Sequence, residues 1–528
     1  MGITRWGGGV LVTVLAALVA AAPAAGFERV GDRKILVFAG RQEVPTIDPS
    51  VKYDWSIRMA QQSLYDALVK YVGNPPEIVS WLAERWESSP DARTWTFHLV
   101  KTAKFHNGDP VTAEAVRFSF ARTLRLNQGP AWMLSDFLKE DGIAVLDAHT
   151  IRFQLTKPYA PFLSFLPWWY VMNPKQVLAH EEGGDAGRKW LTTNEAGSGP
   201  FRIKRWQQGV LYELEAVDDY WKGWPSRDHI GGVVYKIVRE SGAQRAALLR
   251  GEADIVEGLS PDDYDQVGKM PGIVVPTFPG MTTFGLKMNT QRGVTKDPNL
   301  RKAIAYAFDY DALIKIYNGN AVLQTSPFPN ATRGHIDVPG FPRQDLAKAR
   351  AFLARSAYPQ GGVEIEYVYV QGLEEERKIG LVLIDNLQKL GIKVKMVPLI
   401  WPNMVARGAK LETAPDLMAV FTTPVSTDPD AVAYQYHKSS WGKYYGSSHY
   451  ANDGVWALID KARTLGRWED RAPLYAEIQK RITADAPELF GMLANRRWGM
   501  RDYVKGFAFS PVRFTGEVDL YPLAIVAK

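Results

Sequence analysis

Cysteine is absent from this 528-residue chain. That excludes disulfides, thiolate metal sites, a cysteine nucleophile and a thiol for lipid attachment. Blocks of like charge are missing as well. The 63 basic and 57 acidic residues leave a net charge of +6, and no run of five or six charges of one sign occurs. Nucleic acid is therefore not expected as a partner, and Arg202-Lys204-Arg205 and Arg496-Arg497 read as solvated faces. Catalytic signatures are lacking too: there is no Gly-x-Ser-x-Gly elbow, no phosphate-binding glycine loop with Lys-Ser/Thr and no His-Glu-x-x-His. Ser440-Trp441-Gly442-Lys443 matches Ser-x-x-Lys, but its Ser-Asp-Asn and Lys-Thr-Gly companions are absent, so it reads as a turn. His437, His449, Asp428 and Asp430 show no tight ligand spacing, so neither a metal nor another cofactor is predicted. The chain does not read as an enzyme.

Long apolar runs are also scarce. The one from Val10 to Ala22 falls short of the roughly 20 residues that span a bilayer. With Arg5 before it and Ala22-Pro23-Ala24-Ala25-Gly26 after it, it reads as a secretory signal over 1–26, cleaved near Ala24 to Gly26. Without a lipid-acceptor cysteine, the mature protein is expected free in the periplasm and not as a lipoprotein. With 46% hydrophobic residues, the chain is long enough for two or three cores.

Local grammar is clear in several places. Trp95, Phe97 and Leu99 alternate as a half-buried strand, Asn107-Gly108-Asp109-Pro110 turns the chain, and Thr112 caps a helix bearing Val116, Phe120 and Leu124. Glu376 to Leu390 reads as a helix closed by Gly391, with Ile392, Val394 and Met396 alternating as a strand after it. Ala243 to Arg250, Gly251 and Ala253 to Val256 repeat that helix-then-strand unit. Ser260-Pro261-Asp262-Asp263 opens another helix. Two α/β lobes are the simplest architecture that contains these units.

The segment from Trp81 to Phe120 resembles the signature of the bacterial solute-binding proteins of ABC importers, the peptide/nickel group called family 5. The resemblance continues at Ile47-Asp48-Pro49, Leu64-Tyr65-Asp66-Ala67-Leu68-Val69, Gly197-Ser198-Gly199-Pro200-Phe201, Asp219-Tyr220-Trp221, Leu248 to Ile255 and Leu300 to Ala307. Ala115 departs from it, standing where the family has an acid that would complete a capping box with Thr112, a change of about 0.5–1 kcal/mol.

The resemblance implies a two-lobed α/β periplasmic binding protein of the type II kind. Its discontinuous first lobe would comprise 27–55, 196–286 and 495–528, its inserted subdomain 56–195 and its second lobe 287–494. A small organic solute, a peptide or an opine-like compound, would be captured between the lobes by hinge closure and delivered by a monomer to an inner-membrane ABC permease. An oligosaccharide or sugar conjugate is the alternative within the family, followed by a nickel complex; a secreted hydrolase is the alternative outside it.

The resemblance also indicates ligand-binding positions. Dipeptide-binding relatives place an aspartate ahead of an Asp-Pro-Asp turn to meet the α-ammonium. Here the turn is Asp428-Pro429-Asp430, and Phe421 to Thr427 before it holds no acid. An ammonium group would then be met from the opposite lobe, with Glu43 as the candidate, while Arg377 approximates the arginine that holds a peptide carboxylate. Trp401, Phe421, Trp441, Tyr444 and Tyr445 fall in the family's binding segments, where aromatic faces hold sugars, cations or apolar side chains.

Overall fold

A buried carboxylate organises the scaffold. Asp66 accepts hydrogen bonds from Trp81 Nε1 (2.7 Å), Ser198 Oγ (2.9 Å), Tyr220 Oη (2.9 Å) and Trp221 Nε1 (2.8 Å). Burial raises its pKa, and these four donors oppose the rise. The sequence blocks around Asp66, Trp81, Ser198 and Tyr220 thus converge on one point from separations of up to 155 residues. The glycines flanking Ser198 have a steric cause. A Cβ on Gly197 would lie 1.8 Å from the Leu64 carbonyl oxygen, and one on Gly199 would lie 2.4 Å from that of Ser63.

The computed structural model describes residues 2, 29–30, 33–53, 57–513 and 517–526. The apolar run Val10 to Ala22, the stretch Ala24 to Gly26 and the subdomain boundary at Ser56 lie outside the described residues. Among the described residues no helix is long and apolar enough to cross a membrane.

Two large sheets dominate. The first runs in the order Ile273–Val274, Gly499–Arg501, Ile255–Val256, Arg33–Gly40, Gly232–Ile237, Leu211–Ala216 and Phe201–Gln207, with Arg29–Val30 pairing Arg33–Gly40 off this path. Arg33–Gly40 is parallel to both Gly232–Ile237 and Ile255–Val256. The second sheet runs Ala321–Leu323, Glu488–Arg497, Thr277–Met288, Leu417–Thr422, Glu364–Val370 and Lys393–Leu399, its last three strands mutually parallel. A smaller antiparallel sheet of Ala83–Ser88, Thr94–Leu99, Thr150–Gln154 and Ile143–Asp147 carries the helix Ala113–Leu126.

The chain leaves the first sheet after Ile273–Val274, enters the second along Thr277–Met288, and returns through Glu488–Arg497 to Gly499–Arg501. The two long strands pair antiparallel from Thr277↔Arg497 to Lys287↔Glu488. They form the double connection between lobes, each of which has its own buried core.

Local expectations match the observed elements. Thr94–Leu99 alternates between half-buried and buried as the pattern of Trp95, Phe97 and Leu99 predicts. Thr112 accepts a hydrogen bond from the Ala115 N–H at 3.4 Å and caps Ala113–Leu126. Ala115 is 1% exposed within the subdomain core. Ser260 caps Pro261–Val267, Gly251 closes Ser241–Arg250 at φ 73°, and Glu374–Gln388 precedes the strand Lys393–Leu399.

Candidate functional site between the lobes

Parallel strands direct their carboxyl ends, and the loops that follow them, to one edge of a sheet, where α/β folds place ligand-contacting groups. In the first sheet these loops carry Arg41 to Glu43, Arg239 and Glu257. In the second, these loops and the first turns of the helices that follow them carry Gln371 to Arg377, Ile400 to Trp401, and Thr423 to Asp430. The sequence-predicted residues Glu43, Arg377 and Trp401 all stand on these edges, and Phe421 lies in the last turn of strand before the third loop.

Their surroundings differ. Glu43 is 3.7 Å from Arg239 Nη2, both side chains being substantially exposed. Arg377 donates from Nε and Nη2 to the Glu374 carboxylate at 2.8 and 2.7 Å, so its fork already holds a carboxylate on the same helix. Phe421 packs on Phe284, ring centroids 4.8 Å apart, at the edge of the second-lobe core. Trp401, 41% exposed, meets Tyr444 edge-on at 5.3 Å.

Tyr444 meets Tyr445 at 5.1 Å, and Tyr445 meets Tyr434 at 6.3 Å. Tyr434 stacks on Trp132 at 6.3 Å, and Tyr53 lies between Trp132 (5.7 Å) and Trp168 (5.9 Å). A continuous aromatic path therefore runs from Trp401 in the second lobe to Trp168 near the first. The indole N–H of Trp132 is buried on this path without a hydrogen-bond partner. Trp441 lies off the path. Its N–H donates to the Tyr450 carbonyl at 3.2 Å, and its ring contacts His449 and Trp456. Sequence reasoning missed Trp132, Tyr434, Tyr53 and Trp168; only their aromatic character was visible, which is equally that of a core residue.

The second-lobe loop is held by neutral groups. Val425 O accepts from Trp168 Nε1 at 2.7 Å, Ser426 Oγ accepts from Tyr71 Oη at 3.4 Å, and the Thr423 and Thr282 hydroxyls share a 2.6 Å hydrogen bond. The acids of the following turn are engaged structurally. Asp428 takes a bidentate fork from Arg471 at 2.8 and 2.7 Å. Asp430 accepts from Arg463 Nε at 2.6 Å and from Tyr159 Oη at 3.0 Å. Tyr159 belongs to the subdomain core, so this turn also ties the subdomain to the second lobe.

The remaining chemical alternatives find little here. Ser440 Oγ is buried and donates to the carbonyls of Gln435 and His437, an arrangement that offers no general base. His449 Nε2 lies 3.0 Å from the Gly408 carbonyl and His437 Nε2 lies 3.5 Å from Asp460; burial lowers the pKa of both rings. Among the described residues no group of three or more potential ligands is placed to hold a metal ion.

Residues 77–444 match the family of bacterial extracellular solute-binding proteins, family 5, middle region. The chain is 30% identical over 488 residues to the probable D,D-dipeptide-binding periplasmic protein DdpA of Escherichia coli K12, covering 91% of this chain and 92% of that one. It is 27% identical to the dipeptide-binding protein of the same organism, over 85% of this chain and 87% of that one. Among solved structures it is similar to the periplasmic binding protein DppA of Helicobacter pylori in complex with the peptide STSA. The TM-score is 0.79 at 26% identity, covering 93% of this chain and 98% of that one.

Proposed function

Because the chain belongs to the bacterial extracellular solute-binding proteins of family 5, we propose that it captures a short peptide or peptide-like solute between its lobes for an inner-membrane ABC permease. The mechanism is hinge closure about the paired strands Thr277–Met288 and Glu488–Arg497, with bound solute favouring the closed population. The observation that carries this reading is the meeting of a second-lobe strand-end loop and aromatic side chains with the subdomain inserted in the first lobe along one interface, beside a two-strand connection. The names of the relatives favour a peptide over a sugar. The aromatic path Trp401, Tyr444, Tyr445, Tyr434 and Trp132 is the surface on which solute side chains would rest.

The division into a discontinuous first lobe, an inserted subdomain and a second lobe belongs to the same reading, and the membership of the two sheets supports it. So do export through the N-terminal signal, an unlipidated mature chain in the periplasm and a monomeric state, of which the missing cysteine bears on lipidation directly.

Titration calorimetry on ligand-stripped protein with a panel of L,L- and D,D-dipeptides tests the proposal. The expected result is saturable binding of at least one peptide, at one molecule per chain, recovered chemically unchanged. Heats from an oligosaccharide series and none from peptides, or hydrolysis of the peptide, would contradict it.

A further inference from the structure

The inserted subdomain is held in two directions by contacts of different kinds. Toward the first lobe it is fixed by buried charge and close backbone packing. Besides the Asp66 cluster, Arg122 donates from Nη1 and Nη2 to the two oxygens of Asp48 at 2.8 and 2.6 Å, both side chains being buried. Gly197 and Gly199, pressed against the Leu64 and Ser63 carbonyls, close the same boundary.

Toward the second lobe the subdomain makes a separate set of contacts. Tyr159 Oη donates to Asp430 Oδ2 at 3.0 Å, and Arg463 Nε donates to Asp430 Oδ1 at 2.6 Å, so one buried carboxylate takes a donor from each body. Burial and then the Asp430 charge push the Tyr159 phenol well above its ordinary pKa, which keeps it a donor. The Ala160 N–H donates to the Arg463 carbonyl at 3.0 Å, and Val425 is buried among the side chains of the subdomain core. At the rim, Gly466 lies in the turn between the helices Asp453–Thr464 and Trp468–Asp485 and faces Pro90 of the subdomain. A Cβ on Gly466 would lie 2.4 Å from the Pro90 carbonyl oxygen, whereas its backbone conformation is one that any residue adopts. The absence of a side chain at 466 therefore serves the approach of another body and not the turn itself.

The chain passes between the lobes along the paired strands Thr277–Met288 and Glu488–Arg497. Rotation of the second lobe about that connection, with the subdomain remaining on the first, breaks the second set of contacts and spares the first. Tyr159, Asp430 and Gly466 also stand off the aromatic path assigned to the solute, which the latch adjoins where Arg463 lies 5.1 Å from the Tyr434 ring centroid.

We propose that Tyr159, Asp430 and Gly466 form a closure latch: they are positioning residues that favour the closed form through contact between subdomain and second lobe, and they raise affinity for every solute by a common factor. Selectivity among solutes stays with the groups that touch them. This assignment rests on the hinge-closure reading above.

The test compares wild type with Tyr159→Phe and Gly466→Ala, using L-alanyl-L-alanine, L-alanyl-L-phenylalanine and D-alanyl-D-alanine as probes. Calorimetry gives affinity, stopped-flow tryptophan fluorescence gives dissociation, and thermal unfolding is measured on ligand-free protein. Tyr159→Phe deletes one oxygen and leaves Asp430 its Arg463 donor. It is expected to weaken each peptide that binds by the same factor, about tenfold, the usual size of a hydrogen bond to a charged group. Gly466→Ala is expected to weaken them about fivefold or more, because its Cβ meets main chain in the closed form. Both losses should appear as faster dissociation, and both ligand-free variants should unfold at the wild-type temperature, since opening separates these groups. Unchanged affinity in both variants, losses that differ among peptides, or a lowered unfolding temperature with affinity retained overturns the latch and leaves hinge closure intact. Binding of none of the three peptides by wild type, or a wild-type radius of gyration that stays constant on saturation, overturns both.

Discussion

Glu376 shows how burial at a single residue sets a pH dependence. It is 1% exposed, and Oε2 accepts the Val370 N–H at 2.8 Å. Burial raises its carboxyl from 4.5 to about 7; the Val370 donor opposes this and the neighbouring Glu375 charge adds to it. The folded state therefore binds a proton that the unfolded chain releases above its own pKa. Stability is highest below about pH 4.5 for this group and falls as pH rises toward and through 7, by roughly 3 kcal/mol at most. Glu376→Gln keeps an acceptor for Val370 and removes the titration. Urea unfolding at pH 5 and pH 8 should show the variant losing less stability than wild type over that interval; an equal loss would place the titration elsewhere. Asp428 and Asp430 illustrate the opposite outcome at this scale. Their sequence marked a turn, but the fork that Asp428 accepts from Arg471 and the hydrogen bond that Asp430 accepts from Arg463 come from residues 43 and 33 positions away, which no local pattern reveals.

Elements were more legible than contacts. The capped helices at Thr112 and Ser260 and the unit from Glu374–Gln388 to Lys393–Leu399 follow from capping chemistry and hydrophobic period, both of which act within a few residues. The aromatic segments were legible as aromatic only, because a ring packed in a core and a ring lining a cleft have the same sequence appearance. Geometry separates Trp132, with its unpartnered N–H on the path between lobes, from Trp441, whose N–H is already bonded to Tyr450. Trp132→Ala should therefore weaken a bound dipeptide about tenfold or more, a reasonable loss for one aromatic contact with its hydrogen bond. Trp441→Ala should change affinity less and lower thermal stability more. Calorimetry with parallel thermal unfolding checks this, and the reverse ranking would remove Trp132 from the site.

At the scale of the whole molecule, the sequence revealed scaffold better than site. The blocks that carry the family resemblance include those meeting at Asp66, where a carboxylate with four donors and two close-approach glycines tolerates little substitution. Several polar contacts were hidden because their members lie far apart in sequence: Arg41 bonds Glu257 across 216 positions, and Thr282 bonds Arg496 across 214. Strand pairing within the first sheet brings the former pair together, and the two-strand connection between the sheets brings the latter. That connection is also what permits the lobes to move as bodies, so the central claim concerns closure. Ligand-stripped protein should exchange between open and closed forms, and the contacts from Trp168 to Val425 and Tyr159 to Asp430 should persist only when solute holds the lobes together. Small-angle scattering across a titration with the tightest dipeptide of the calorimetric panel tests this most directly. The account predicts that the radius of gyration falls as the single site fills and that the saturated profile matches the structure described above. A radius of gyration that stays constant through saturation would contradict hinge closure.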